Sequence, residues 1–391
     1  MDFRSARYWQ PRKILLPLHE PVTHDQAAMT DRVYNFSPGP AILPEEVLRQ
    51  AQEELFCLPG VGMSVLEISH RSPTFDEILA TTKANIRKLY NLPENYHVLF
   101  LQGGSRTQFS MIPMNLLGDG TADYLVTGSW GKKALDEARR EGNTNVVWDG
   151  GETNYDRLPV AGSYSCTPGA AYLHYTSNET IQGVQFPSEP ESNGAPLVCD
   201  VSSDFFSREI DVERYGLIYA CAQKNAGPSG VTVVLLRDDL LERCDDNLPG
   251  MLNYKNHVEG DSRYNTPPVF GIYLVKLITE WILSTAGSLT KMNELNRAKA
   301  ALLYDAIDES NGFYIGHAER ECRSAMNVTF RLADESLQSD FLESAAKEKL
   351  VELKGHRSVG GFRASIYNAM PLVGVETLAA HMRQFAAARS S

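Results

Sequence analysis

The sequence predicts an α/β protein: a large domain built on a mixed, mostly parallel sheet, with a smaller C-terminal α+β domain. Three observations carry this reading. Short apolar runs alternate with helical periodicity between residues 97 and 236. Several runs keep apolar residues at consecutive positions, which suits parallel strands covered on both faces. After residue 267 the texture changes to long helices, then two strands with flanking helices.

Each element has a local reason. A helix is expected from residue 44, where Pro44 suits the first turn and Val47, Leu48, Ala51 and Leu55 share one face. Strands are expected at 97–102 (HVLFLQ), 123–127 (DYLVT) and 145–148 (NVVW), with helices over 105–117 and 131–141 between them. Further strands fall at 171–175 (AYLHY), 196–201, 215–221 (YGLIYAC) and 231–236 (VTVVLL). Long helices occupy 267–285 and 288–309. Strands near 324–332 and 362–367 follow, flanked by helices near 336–350 and 374–388. The domain reading is 45–290 for the large domain, 34–44 with 291–391 for the small one, and 1–33 as an extension. That extension carries Arg4, Arg7, Arg12 and Lys13, with Asp2 its one acid before Glu20. It fits a targeting segment or a flexible tail, and the tail is the simpler reading.

Composition narrows the function. The 391 residues carry a net charge of −12 and no basic block, so the electrostatic footprint of a nucleic-acid binder is missing. The six cysteines form no C-x-x-C pair, and Cys199 and Cys221 lie inside apolar runs. Free thiols in a reducing compartment, the cytoplasm, are expected rather than disulfides or a metal site. No apolar stretch reaches membrane-spanning length; Lys276 and Glu280 interrupt the nearest, 267–285.

Two strand ends carry the chemistry. Asp200 ends the run Leu197-Val198-Cys199, and Lys224 ends Ala220-Cys221-Ala222-Gln223 before Asn225-Ala226-Gly227-Pro228. A lone lysine is usually solvated surface, but an apolar strand followed by this turn is no surface helix. A buried carboxylate needs a cationic or hydrogen-bonding partner. The pair suits pyridoxal phosphate: the lysine forms a Schiff base with its aldehyde, and the aspartate keeps its pyridine nitrogen protonated.

Other strand ends add weaker signals. Gln102-Gly103-Gly104-Ser105-Arg106 opens a helix and could cradle a phosphate, or be only a tight turn. Trp130 could stack on a flat ring or fill a core. Thr180 could bond a ring substituent or cap a turn. His70-Arg71 and His356-Arg357, with Arg363, would suit a substrate holding one carboxylate and one strongly anionic end. The plain alternative is two exposed basic turns.

Taken together, Asn35-Phe36-Ser37-Pro38-Gly39-Pro40-Ala41, Glu67-Ile68-Ser69-His70-Arg71, Ala222-Gln223-Lys224-Asn225, Tyr264-Asn265-Thr266-Pro267-Pro268 and Lys354-Gly355-His356-Arg357 through Arg363-Ala364-Ser365-Ile366-Tyr367-Asn368 stand in family order. From about Tyr34 onward the chain resembles the phosphoserine aminotransferase family, fold-type I pyridoxal-phosphate enzymes of serine biosynthesis. The resemblance implies that Lys224 carries the cofactor and shuttles the Cα proton, with Asp200 at the pyridine nitrogen. It implies that Trp130 stacks on the ring and Thr180 bonds its hydroxyl side. Ser105, Arg106 and Gln223 would hold the cofactor phosphate, joined by Asn265 and Thr266 from the partner subunit of a homodimer. Arg363 would take the α-carboxylate. His70, Arg71, His356 and Arg357 would receive the substrate phosphate, or the side-chain carboxylate of glutamate.

Two departures stand out. Pro38 replaces a small residue with a free N–H in many members, and the extension has no counterpart. Other fold-type I enzymes, such as an alanine–glyoxylate-type aminotransferase or a cysteine desulfurase, are the alternatives. A desulfurase needs a mobile reactive thiol, for which only Cys244 and Cys322 stand outside apolar runs in the C-terminal half. A cofactor-free structural relative would not need both Asp200 and Lys224.

Overall fold

The computed structural model describes residues 32–389. The extension over 1–33 therefore lies, apart from its last two residues, outside the described residues.

The chain opens with β1 (Tyr34–Asn35), α1 (Glu45–Phe56) and α2 (Pro73–Tyr90). Helix α2 has no counterpart among the sequence-derived elements, although its signals are local. Ser72 caps it by accepting the N–H of Phe75, Pro73 stands in the first turn, and Asn91 closes it in the left-handed region at φ 48°. Its apolar residues Phe75, Ile78, Leu79, Ile86 and Leu89 are buried.

Strand β2 (Tyr96–Leu101), α3 (Gly104–Leu116), β3 (Thr121–Val126), α4 (Ser129–Ala138) and β4 (Asn143–Asp149) follow within a few residues of expectation. Next come β5 (Leu173–Thr176) and a hairpin of two short strands, β6 (Asn178–Glu179) and β7 (Val184–Gln185). Strands β8 (Leu197–Asp200), β9 (Tyr215–Cys221) and β10 (Thr232–Arg237) complete the sheet. Its order is β2-β10-β9-β8-β5-β3-β4. Every pairing is parallel except those of β10, which runs antiparallel to both β2 and β9.

Consecutive apolar residues in these strands serve two cores. In β10, Val233 and Leu235 face a core shared with α1 and α2, while Val234 and Leu236 face one shared with α3 and α4. That double burial is why the strands lack polar alternation.

Short helices α5 (Asp238–Leu241) and α6 (Tyr254–Glu259) lead to α7 (Val269–Thr285) and α8 (Leu289–Asp308). No single helix among the described residues is long and apolar enough to cross a membrane. Strands β11 (Tyr314–Gly316) and β12 (Asn327–Leu332), helix α9 (Gln338–Lys347), strands β13 (Leu350–Val351) and β14 (Phe362–Ser365), and helix α10 (Leu372–Ala387) end the chain. β12 starts three residues later than expected because the Ser324 hydroxyl accepts the N–H groups of Met326 and Asn327 in a turn. A third core gathers Phe36, Leu303, Phe330, Phe341, Phe362 and Met382. β1 joins this part of the chain by pairing in parallel with β13.

Candidate active site

A cavity of about 400 Å³ opens where β8, β9 and the start of α3 meet the segment holding His356 and Arg363. It lies beyond the carboxyl ends of parallel strands, the usual ligand position in such sheets.

Its floor is Asp200, the last residue of β8, 4% exposed. One carboxylate oxygen accepts the N–H of Ser202 at 2.9 Å. Burial pushes its pKa up, against the opposing charge of Lys224 and the bonds from Ser202. No ion pair reaches it among the described residues, so the carboxylate has room for one more cationic partner. Lys224 follows β9, and its ammonium donates to the Thr180 hydroxyl at 2.7 Å. The same ammonium stands 5.2 Å from the centre of the Trp130 ring. Thr180 is in place because it starts the turn of the β6–β7 hairpin, and the Arg363 guanidinium reaches its carbonyl at 3.5 Å.

The start of α3 forms the second wall. Gly103 and Gly104 take φ of 94° and 66°, and a Cβ on Gly103 would fall 2.0 Å from the Thr107 hydroxyl oxygen. The turn therefore presents the first N–H groups of a 13-residue helix to the cavity, beside Ser105 and Arg106. The Ser105 hydroxyl shares a 2.9 Å bond with that of Ser202, which also accepts the Cys221 N–H at 3.0 Å. One hydroxyl thus ties α3, β8 and β9 together. Gln223 lines the cavity, and its carbonyl accepts the N–H of Ala41 at 2.9 Å. Pro38 lines it too, its carbonyl accepting from the Tyr367 hydroxyl.

Trp130 sits at the start of α4, held from behind by Glu179. That carboxylate accepts the N–H groups of Trp130 at 3.0 Å and Gly131 at 2.7 Å. Burial pushes its pKa up to about 7, against the lowering by those two bonds. The Trp130 indole N–H is buried with no partner among the described residues.

The outer part is cationic. Arg363 is 7% exposed on β14, its Nε has no partner among the described residues, and burial pulls its pKa down. No carboxylate pairs with it among the described residues. His356 lines the cavity, and its Nδ1 accepts the Ser358 N–H at 3.2 Å. An Nδ1 that accepts from an amide leaves the proton on Nε2. Burial, then the charges of Arg363, Lys133 and Arg357, holds its pKa down. Lys133, absent from the sequence-derived site, also lines the cavity, with its ammonium 4.2 Å from the centre of the Trp130 ring. Its signal was present: it lies three residues past Trp130, on the same side of a helix.

Five expected residues, His70, Arg71, Asn265, Thr266 and Arg357, do not line the cavity. His70 and Arg71 stand just before α2, and Asn265 and Thr266 just before α7. The last two are exposed and close to the α3 turn: Asn265 donates to the Gln102 side chain at 3.0 Å, and Gln102 donates to the Thr266 carbonyl at 3.3 Å. Arg357 is exposed beside His356. Cys244 and Cys322 are buried, with thiols pushed up to about 12 and about 11, the opposite of a desulfurase's reactive thiol. Among the described residues, no cluster could hold a metal ion.

These residues fit pyridoxal phosphate. A buried carboxylate lacking a cation, an amine lacking an acid, an indole face and a helix start match its pyridine nitrogen, aldehyde, ring and phosphate.

The aminotransferase class-V family profile matches residues 33–378. The chain is 53% identical over 367 residues to the phosphoserine aminotransferase of Rhodopirellula baltica, covering 93% of this chain and 98% of the relative. The solved phosphoserine aminotransferase from Bacillus circulans subsp. alkalophilus superposes with a TM-score of 0.90 at 48% identity, over 92% of this chain and 100% of that one. The pyridoxal-phosphate-bound phosphoserine aminotransferase from Trichomonas vaginalis gives a TM-score of 0.85 at 41% identity, over 90% and 100% of the two chains. With that cavity at the strand ends and identity of this order along nearly its whole described length, the chain belongs to the class-V aminotransferases, among the phosphoserine aminotransferases.

Proposed function

We propose that the chain moves an amino group in two half-reactions, from glutamate to 3-phosphooxypyruvate, releasing 2-oxoglutarate and O-phosphoserine. The observation that carries this reading is the charge of the cavity. Asp200 is the one carboxylate among the described residues lining it, against Arg106, Lys133, Lys224 and Arg363, with His356 beside them. Such a lining suits ligands with two anionic ends.

When bound, pyridoxal phosphate supplies an aldehyde that captures amines and a ring that accepts the electron pair of Cα. Ser105, Arg106, Gln223 and the first N–H groups of α3 would hold its phosphate. Trp130 would cover the ring, Thr180 would meet its hydroxyl side, and Asp200 would hold the proton on its nitrogen. Lys224 would be the base: as the neutral amine, positioned by the Thr180 hydroxyl, it would take the Cα proton, hold it as the ammonium and give it back to the substrate in the reverse half-reaction. Arg363 fixes the α-carboxylate through its free edge. His356, Arg357 and Lys133 receive the distal phosphate, or the side-chain carboxylate of glutamate.

The reading includes a C2 homodimer. His70, Arg71, Asn265 and Thr266 are missing from the cavity of their own chain, and a partner would supply them to the second site. The stretch that carries His70 and Arg71 also exposes Leu55, Phe56, Met63 and Leu66, with Phe56 90% exposed. An apolar patch of that kind needs a cover. The reducing cytoplasm remains the proposed location, on the six free thiols.

A coupled assay of phosphoserine against serine, each with 2-oxoglutarate, tests the substrate. The phosphorylated donor is expected to win by orders of magnitude in kcat/KM. Equal values would reduce the assignment to a general aminotransferase.

A further inference from the structure

Lys299 lies on α8, outside the cavity, and is 5% exposed. Its ammonium lies within hydrogen-bond distance of four backbone carbonyls, which share its three N–H groups: Ile366 at 3.1 Å, Tyr367 at 2.7 Å, Asn368 at 3.3 Å and Met370 at 3.2 Å. No carboxylate pairs with it among the described residues. Four carbonyl oxygens converging on one buried cation is the donor set of a small monovalent cation site.

The caged segment leads to the active site. It directly follows β14, which carries Arg363. The Tyr367 hydroxyl donates to the carbonyl of Pro38, a cavity residue. The Asn368 N–H donates to the Asn225 side chain at 2.9 Å, and Asn225 adjoins Lys224. The Asn368 amide also donates to the Phe206 carbonyl and accepts from Asn296. Four carbonyls turned inward in five residues repel one another, and a central cation removes that cost.

We propose that Lys299 is a positioning residue: its ammonium acts as a tethered cation that orders residues 366–370 and, through Asn368 and Asn225, sets the loop that carries Lys224. The inference goes beyond the proposed reaction and does not depend on the identity of the keto acid.

Two variants test it. Lys299→Met keeps most of the volume and removes the charge. Lys299→Ala leaves space for the missing atoms, which n-propylammonium supplies. Both variants should lose kcat for amino transfer from glutamate by on the order of 10²-fold, the effect of a small displacement of a reacting group. Millimolar n-propylammonium should restore most of the loss in Lys299→Ala and none in Lys299→Met, and tetramethylammonium should restore neither. The cofactor-free Lys299→Ala protein should also gain several degrees in Tm with n-propylammonium, while the wild type gains none. That second reading is independent of any substrate, so it separates failure of this inference from failure of the proposed reaction. Wild-type kcat in Lys299→Met would overturn the proposal, and it decides the matter if the alanine variant does not fold. A loss in folded Lys299→Ala that n-propylammonium leaves unchanged in both kcat and Tm would overturn it equally.

Discussion

At the scale of single residues, the Lys224 amine donates to the Thr180 hydroxyl and forms no ion pair with a carboxylate among the described residues. Lys224→Ala should leave the fold intact and cut amino transfer by at least roughly 10³-fold. Borohydride reduction followed by peptide mapping checks the attachment point; a pyridoxyl group on another lysine would move the site. Arg363 makes a different prediction. It is buried without a carboxylate partner among the described residues, and charge-assisted hydrogen bonds contribute about 1.5–3 kcal/mol each. Arg363→Ala should therefore raise KM by roughly 10- to 100-fold for every amino-acid substrate, since all carry the α-carboxylate. Lys133→Met should act selectively, raising KM for phosphoserine far more than for serine. Steady-state kinetics with both donors separates these two roles.

At the scale of elements, the start of α4 is governed by Glu179. A Cβ on Gly128 would fall 2.4 Å from its carboxyl carbon, so the close fit needs that glycine. The folded pKa of about 7 stands above the ordinary 4.5. The folded state then holds the proton more tightly than the unfolded one between those values. The stability this group contributes is full below about pH 4.5 and is lost as pH rises through about 7. The loss is on the order of 3 kcal/mol for the cofactor-free protein. Urea denaturation at pH 5 and pH 8 should show a smaller difference in Glu179→Gln than in the wild type. Identical differences would remove Glu179 as the source. Gly103→Ala tests α3 similarly: its positive φ and the Thr107 contact predict a loss of about 1–3 kcal/mol.

At the scale of the whole molecule, two cores flank one sheet and a third packs beside them, so the cavity draws on both ends of the chain. Pro38 and Gly39 from the start meet Lys224 from the middle and Arg363 from near the end. If a partner completes the site, equilibrium sedimentation should give a dimer. Mixing Arg71→Ala chains with Lys224→Ala chains should then restore one working site per mixed dimer. An active monomer would refute the shared site.

Much of the site was legible from local pattern. Asp200 ends a strand, Lys224 and Thr180 lie in the turns just after strands, and the glycine turn before Ser105 and Trp130 open helices; strand ends can be read from apolar runs and turn residues. The sequence by itself also determined the alternation of strands and helices, because short apolar runs bounded by turn residues suit a doubly covered sheet, whereas the longer run of α7 makes a buried helix. Register and neighbour order came only with tertiary structure: nothing local says that β10 runs antiparallel between β2 and β9. The same holds for Lys133, Glu179 and Lys299, which read as an ordinary helix lysine, a turn acid and another helix lysine. What makes each of them matter is the set of atoms it meets, and those come from distant parts of the chain: an aromatic ring with Arg106 and Arg357 nearby, two helix N–H groups, and four inward carbonyls. Burial and long-range contact set those roles, and neither is a property of sequence neighbours.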